Sequence, residues 1–100
     1  MREPTYFILA ALQDEPRHGY AIITRVAELS HQRVMLATGT LYQALDRLVR
    51  EELIEVERDE VVNGRARRHY ALTPGGRQAL RAEAARMAEA AQVVLRVRPA

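Results

Sequence analysis

The feature that most constrains this chain is a change of hydrophobic period near its middle. Leu41, Leu45, Leu48 and Val49 recur at offsets of four, three and one, which places them on one helical face. From Leu53 to Arg58 the period drops to two, with Ile54 and Val56 on one side and Glu55 and Glu57 on the other, as in a strand with one solvated face. Across Asn63-Gly64 a second alternation sets Tyr70 and Leu72 against Arg67, His69 and Ala71, so the two strands read as a hairpin. Facing Ile54 and Val56 against Tyr70 and Leu72 needs paired positions with an even sum, which a two-residue loop at Asn63-Gly64 does not provide. The parity predicts a three-residue loop, Val62 to Gly64, with Gly64 in the left-handed position of a bulge.

Two helical segments precede this unit and one follows it. The first opens at Pro4 and is apolar nearly all round from Tyr6 to Leu12, so it must be covered on more than one side, by its own core or by a partner chain. It stops near Asp14, Glu15 and Pro16. The second starts at His18 or Gly19, carries Ile22, Ile23, Val26, Ala27 and Leu29 at helical spacing, and ends at Ser30, His31 and Gln32. Thr38 is the expected N-cap of the third, whose outer face shows Gly39, Gln43, Asp46, Arg47 and Arg50. Thr73 and Pro74 open the last helix, expected to reach about Val97, with Gly75 and Gly76 loosening its first turn. Along it Leu80, Met87 and Val94 recur every seven residues, with Ala84 and Ala91 between them. A narrow apolar seam with alanines, on a helix otherwise rich in charge, favours pairing with a second copy over burial.

Composition narrows the function classes. One hundred residues at 48% apolar and 28% charged make a single compact domain, since a chain of this size hides roughly two thirds of its unfolded surface. A second catalytic domain does not fit. The absence of cysteine removes disulfide scaffolds, thiolate zinc sites and cysteine nucleophiles together. His18, His31 and His69 lack metal-ligand spacing, and Gly75-Gly76 lacks the spacing and the lysine of a phosphate loop. Pairs such as Glu51-Glu52 and Asp59-Glu60 fall on expected surface turns. No enzyme, cofactor or metal is therefore expected. The Tyr6–Leu12 run is far shorter than the roughly 20 residues that cross a bilayer, and no signal-peptide pattern appears, so a soluble cytoplasmic protein with no membrane partner is the expectation.

What remains is arginine. The net charge is only +2 and all fifteen basic residues are arginine, so anion binding depends on local clustering. Arg58, Arg65, Arg67 and Arg68 fall in the hairpin beside His69, and Arg47 and Arg50 in the third helix. Guanidinium groups fork to phosphate oxygens or to a guanine edge. The plainer alternative is a solvated hairpin whose arginines pair with Glu57, Asp59 and Glu60. Three short helices just before it tip the balance: the order is that of a helix-turn-helix with the hairpin as its wing, docked on duplex DNA. The expected fold class is mostly α with a small β-hairpin. Residues 1–73 form a winged helix-turn-helix DNA-binding domain and 74–100 a C-terminal dimerisation helix.

The string His18-Gly19-Tyr20, then Gly39-Thr40-Leu41-Tyr42 with Leu45 and Leu48, then Leu53-Ile54, then Gly64-Arg65 leading to Arg68, Tyr70, Leu72 and Thr73, and finally Gly76, resembles the PadR family of winged-helix transcriptional regulators, in its compact subgroup. The resemblance implies a homodimer held by the first and last helices, with third helices in adjacent major grooves of a palindromic operator and wings on the flanking backbone. It also implies a small apolar or aromatic effector, and a compact DNA-binding dimer with no activation domain is expected to repress until that effector releases it. Carried onto this chain, Thr38, Thr40, Tyr42, Gln43 and Arg47 become the reading helix's contact residues, and Arg65, Arg67 and Arg68 those of the wing, with Arg68, on the Tyr70 face, having a hold on the body of the domain as its alternative. Phe7, Leu80, Ala84, Met87, Ala91 and Val94 become the dimer interface, where Phe7, Met87 and Val94 are expected as filled core, with the lining of an effector cavity as the alternative. Tyr20 is expected as an aromatic plug between the first two helices, His18 as a cap or packing residue, and Tyr42 has packing against the second helix as its alternative role. Gln43 stands where relatives commonly have proline and Glu52 where they have glycine, so a less tight turn is expected at Glu52. The competing function is a winged-helix module that docks a protein and binds no DNA.

Overall fold

The computed structural model describes residues 1–97. Its elements run α1 (Glu3–Ala11), β1 (Arg17–His18), α2 (Gly19–Leu29), α3 (Thr38–Arg50), β2 (Ile54–Val62), β3 (Arg65–Leu72) and α4 (Pro74–Leu95). The core gathers Ile8, Leu9 and Leu12 of the α1 segment, Ile22 and Val26 of α2, Leu41, Leu45 and Leu48 of α3, and Ile54, Tyr70 and Leu80. Each helix contributes one apolar stripe, and α1, wrapped by α2 and α4, is covered on two sides as its all-round apolar character requires. Residues 98–100 of the expected C-terminal segment lie outside the described residues, and α4 ends at Leu95 instead of reaching Val97.

The sheet has three antiparallel strands in the order β1-β3-β2. β1 is an element that periodicity could not show: it is two residues long, and Arg17 and His18 pair with Tyr70 and His69. The expected three-residue loop is not formed. Val62 pairs with Arg65, so Asn63 and Gly64 alone make the turn, with φ of 52° and 76°. Two successive left-handed residues match the twist of a tight hairpin. The one extra residue that parity requires is present, but it lies at Glu57, where the register slips between Val56↔Tyr70 and Arg58↔His69. Val56, expected to face the core with Ile54, is 41% exposed.

Ala37, not Thr38, caps α3, and it offers no side-chain acceptor, so Thr38 is the first helical residue. At the other end Glu52 adopts a φ of 60°. Its amide donates to the Val49 carbonyl and that of Leu53 to the Leu48 carbonyl, both at 3.0 Å, so the tight helix stop survives without glycine. Thr73 caps α4 as expected: its hydroxyl accepts from the Gly76 amide at 2.9 Å and donates to the Glu52 carbonyl at 2.7 Å. Gly76 does more than loosen this turn. A β-carbon there would fall 1.9 Å from the Leu53 carbonyl oxygen, so only glycine lets α4 start against the base of β2.

Candidate nucleic-acid interface

Leu41, Leu45 and Leu48 are fully buried, and this commitment turns Thr38, Gly39, Gln43, Asp46 and Arg50 outward. With no side-chain cap on α3, the first amides of the helix are also left to face outward. Tyr42 flanks the leucine face. Its hydroxyl lies so close to Gly19 that a β-carbon at that position would stand 2.6 Å from it. Glycine at the first position of α2 thus admits the Tyr42 ring, which remains partly exposed. Tyr42 both packs on α2 and presents a surface.

The hairpin reaches the same place from the other side. His18, Gly19, Tyr20, Tyr42 and Arg65 to Arg68 line one small cleft of about 110 Å³ between the start of α2, the flank of α3 and the hairpin. Tyr20 is not a plug between α1 and α2; it is 67% exposed on the rim of this cleft. It is the second residue of α2, whose first turn directs it outward while Ile22 and Val26 take the core. An aromatic residue at a helix start suits either role, so nothing along the chain signals that reversal.

The four hairpin arginines differ in their surroundings. Arg68 donates to Asp59 at 3.0 Å, and Arg58 lies 3.2 Å from Glu57 and 3.9 Å from Glu60. The Asp59 hydrogen bond raises the pKa of Arg68 further. Arg65 and Arg67 have no carboxylate within 4.0 Å among the described residues and are exposed near the tip. In α3, Arg47 is held by its own fold: it donates to the Thr5 hydroxyl at 2.8 Å and pairs with Glu51 at 3.2 Å. Thr40, Tyr42, Gln43, Arg65 and Arg67 therefore remain as available groups, whereas Arg47 and Arg68 are already partnered.

Beneath the cleft, His69 is buried and bonded through Nε2 to Glu60 at 2.7 Å, with the His18 ring edge-on at 5.5 Å. This bond lowers the pKa of Glu60. His18 caps α2, its Nδ1 accepting from the Ala21 amide at 3.5 Å. An accepting nitrogen carries no proton, and burial together with Arg67 and His69 holds the His18 pKa below its usual value. The neutral ring suits a helix N-terminus.

The expected dimer residues are distributed along α4 and α1. Leu80 is 3% exposed, Met87 38% and Val94 72%. Phe7 and Met87 border a cleft of about 310 Å³ with Tyr6, Glu3, Arg33 and Arg86, and Val94 is not among its lining residues. Glu83, gripped by Arg86 through two bonds of 3.0 and 2.7 Å, is pushed down to about 2. No helix of the described residues is long and apolar enough to cross a membrane, and among them no group of three potential ligands could hold a metal ion.

Three helices, a hairpin wing and an uncommitted third-helix face define a winged helix-turn-helix protein. The profile of the transcriptional regulator PadR-like family matches residues 8–82. The chain belongs to that family of transcriptional regulators. It is 42% identical over 88 residues to Transcriptional regulator Rv3488 of Mycobacterium tuberculosis, covering 88% of this chain and 78% of that protein. An uncharacterized 37.1 kDa protein in a transposon of Streptomyces fradiae is also 42% identical, over 81 residues, but this chain spans only 22% of its length. Among solved structures, a PadR-like transcription factor from Bacteroides fragilis superposes with a TM-score of 0.78 at 31% identity, covering 94% of this chain and 88% of that one. Bacillus subtilis PadR, solved in complex with operator DNA, gives 0.71 at 27% identity over 80% of this chain and 46% of that one.

Proposed function

We propose that this regulator binds a palindromic operator as a homodimer in the cytoplasm, residues 1–73 reading DNA and the 74–100 segment holding the two copies together. The observation that carries the reading is the cleft that joins Tyr42 of α3 to Arg65 and Arg67 of the hairpin, neither guanidinium lying within 4.0 Å of a carboxylate among the described residues. In this reading Thr40 and Gln43 meet base edges, Tyr42 and the exposed Tyr20 approach the backbone beside the wing, and Arg65 and Arg67 clamp phosphates. Thr38 lies at the uncapped start of α3, where a phosphate could accept from the outward amides. Arg47 and Arg68 hold α3 and the wing in place. Repression follows from a compact DNA-binding dimer, and a small apolar or aromatic effector that releases it would meet Tyr6, Phe7 and Met87 in a cleft whose other walls include the charged Glu3, Arg33, Glu83 and Arg86.

Binding of a selected palindromic duplex and of random duplex, measured between about 50 and 200 mM salt, tests this. Arg65→Ala and Arg67→Ala should each flatten the dependence of log K on log salt by about 0.9 per copy, on both DNAs alike. Unchanged slopes in both variants would reject the clamp, and salt-insensitive capture of a protein in place of DNA would favour the interaction module.

A further inference from the structure

The tip of the wing carries the only asparagine of the chain, Asn63, and glycine follows it. Both residues are exposed, and a β-carbon built on Gly64 meets nothing within 4 Å, so the Asn63 side chain has open space beside the next peptide. Because Val62 pairs with Arg65, the ladder closes around the turn and makes no use of the Gly64 amide. We infer that Asn63 is a self-modification site, whose amide converts to a carboxylate and so weakens the wing's hold on DNA.

The chemistry needs only water. The Gly64 nitrogen, after giving its proton to base, attacks the Asn63 side-chain carbonyl carbon; the bond to the amide nitrogen breaks and ammonia leaves. The product is a five-membered imide spanning the two residues. Water opens it at the side-chain carbonyl to aspartate, or at the main-chain carbonyl to isoaspartate. The second product routes the main chain through the former side chain, lengthening by one atom a turn that has only two residues.

The position makes either product consequential. Arg58, Arg65, Arg67 and Arg68 of the hairpin are matched by Glu55, Glu57, Asp59 and Glu60, so the wing has no surplus positive charge. Its attraction for phosphate depends on local placement of Arg65 and Arg67. A new carboxylate two residues from Arg65 opposes that placement directly, and isoaspartate also unlocks the Val62↔Arg65 register that aims Arg65. The wing thus ages in one direction, from a binding to a weakly binding form. The consequence rests on the DNA-binding reading above, while the conversion does not.

The test incubates the full chain in mildly acidic and mildly alkaline buffer beside a linear peptide of the same hairpin sequence. Peptide mapping by mass spectrometry follows amide-to-acid exchange and isoaspartate at Asn63. The converted forms are separated by ion exchange and titrated with duplex DNA. Conversion should be faster in alkali, and Asn63→Gly, which keeps a left-handed turn, should abolish it. Converted protein should bind random duplex about threefold more weakly per wing, the effect of one charge at roughly 7 Å in water. Asn63→Asp should reproduce that loss without the backbone change. An intact Asn63 after the peptide has fully converted would overturn the site. Converted forms that bind like fresh protein would overturn its consequence. If fresh protein binds no duplex at all, the functional reading fails, and the mass data still decide the chemistry.

Discussion

α3 and α4 carry apolar residues at similar helical spacings, yet one helix is finished within the chain and the other is not. In α3 the three leucines are fully buried, each contributing roughly 1.5–3 kcal/mol, and the opposite face stays free for contact. In α4 burial fades along the seam, from Leu80 in the core through half-exposed Met87 to Val94 in solvent, where Val93 and Leu95 are exposed as well. The molecule measures 63 × 27 × 21 Å, far longer than its globular part demands. Apolar spacing thus identifies a helical face, and the partner of that face is decided by what the rest of the chain can reach. The α3 seam lies within reach of α1 and α2. The last turns of α4 have left the domain behind, which supports the proposal that a second copy covers them.

The contrast can be broken first at its strongest point. Leu45→Ala should cost about 2–5 kcal/mol in urea unfolding, because the site is enclosed on all sides. A loss much below that range would mean the α3 seam is not a closed core. Val94→Asp should leave unfolding of the dilute protein within about 0.5 kcal/mol while light scattering shows the dimer reduced to monomers; a parent protein already monomeric would end the comparison. On the free face of α3, Gln43→Ala should cost about 1–3 kcal/mol on the cognate duplex and much less on random DNA. Equal losses would remove Gln43 from the reading head.

The remaining effects are smaller and concern how each helix is terminated. Glu52→Gly relieves a left-handed residue that has a β-carbon, and should raise stability by about 1 kcal/mol; a neutral result would show that the Glu52 side chain offsets its backbone cost. His18, at the start of α2, has a depressed folded pKa, so its unfolded form takes up the proton first as pH falls. Its contribution is therefore complete above its unfolded value of 6.5 and is lost as pH drops through the lower folded value. His18→Asn keeps a capping acceptor without a proton to gain. Thermal melts from pH 7.5 to 5 should show a shallower decline in this variant than in the parent, and parallel curves would mean that His18 does not carry the acid limb.

Much of the fold is legible along the chain because it is local. The helices of α2, α3 and α4 follow from 3.6-residue spacing, the hairpin from alternation around Asn63-Gly64, and the α4 start from Thr73 and Pro74. The arginine clustering and the motif order are legible too, and the resemblance to the family rests on that order. The candidate site was legible only in outline. Which arginines are free depends on cross-strand partners: Asp59 reaches Arg68 because of the bulge at Glu57, and no pattern in β2 announces where that bulge falls.

The sequence by itself determined which faces are apolar, where the period changes and which residue types stand near the wing, since these depend on neighbours a few positions apart. Only the tertiary structure decided that the extra residue lies at Glu57, that Arg47 is tied to Thr5 across 42 positions, and that Tyr20 turns outward beside Tyr42. It also decided that β1 exists at all, because a two-residue strand has no period of its own and forms only where β3 supplies an edge to pair with. For the bulge, the Arg47 tie and β1 the physical reason is common: each is set by a contact between separate segments, and its free energy appears only once the chain has closed the loops that bring those segments together.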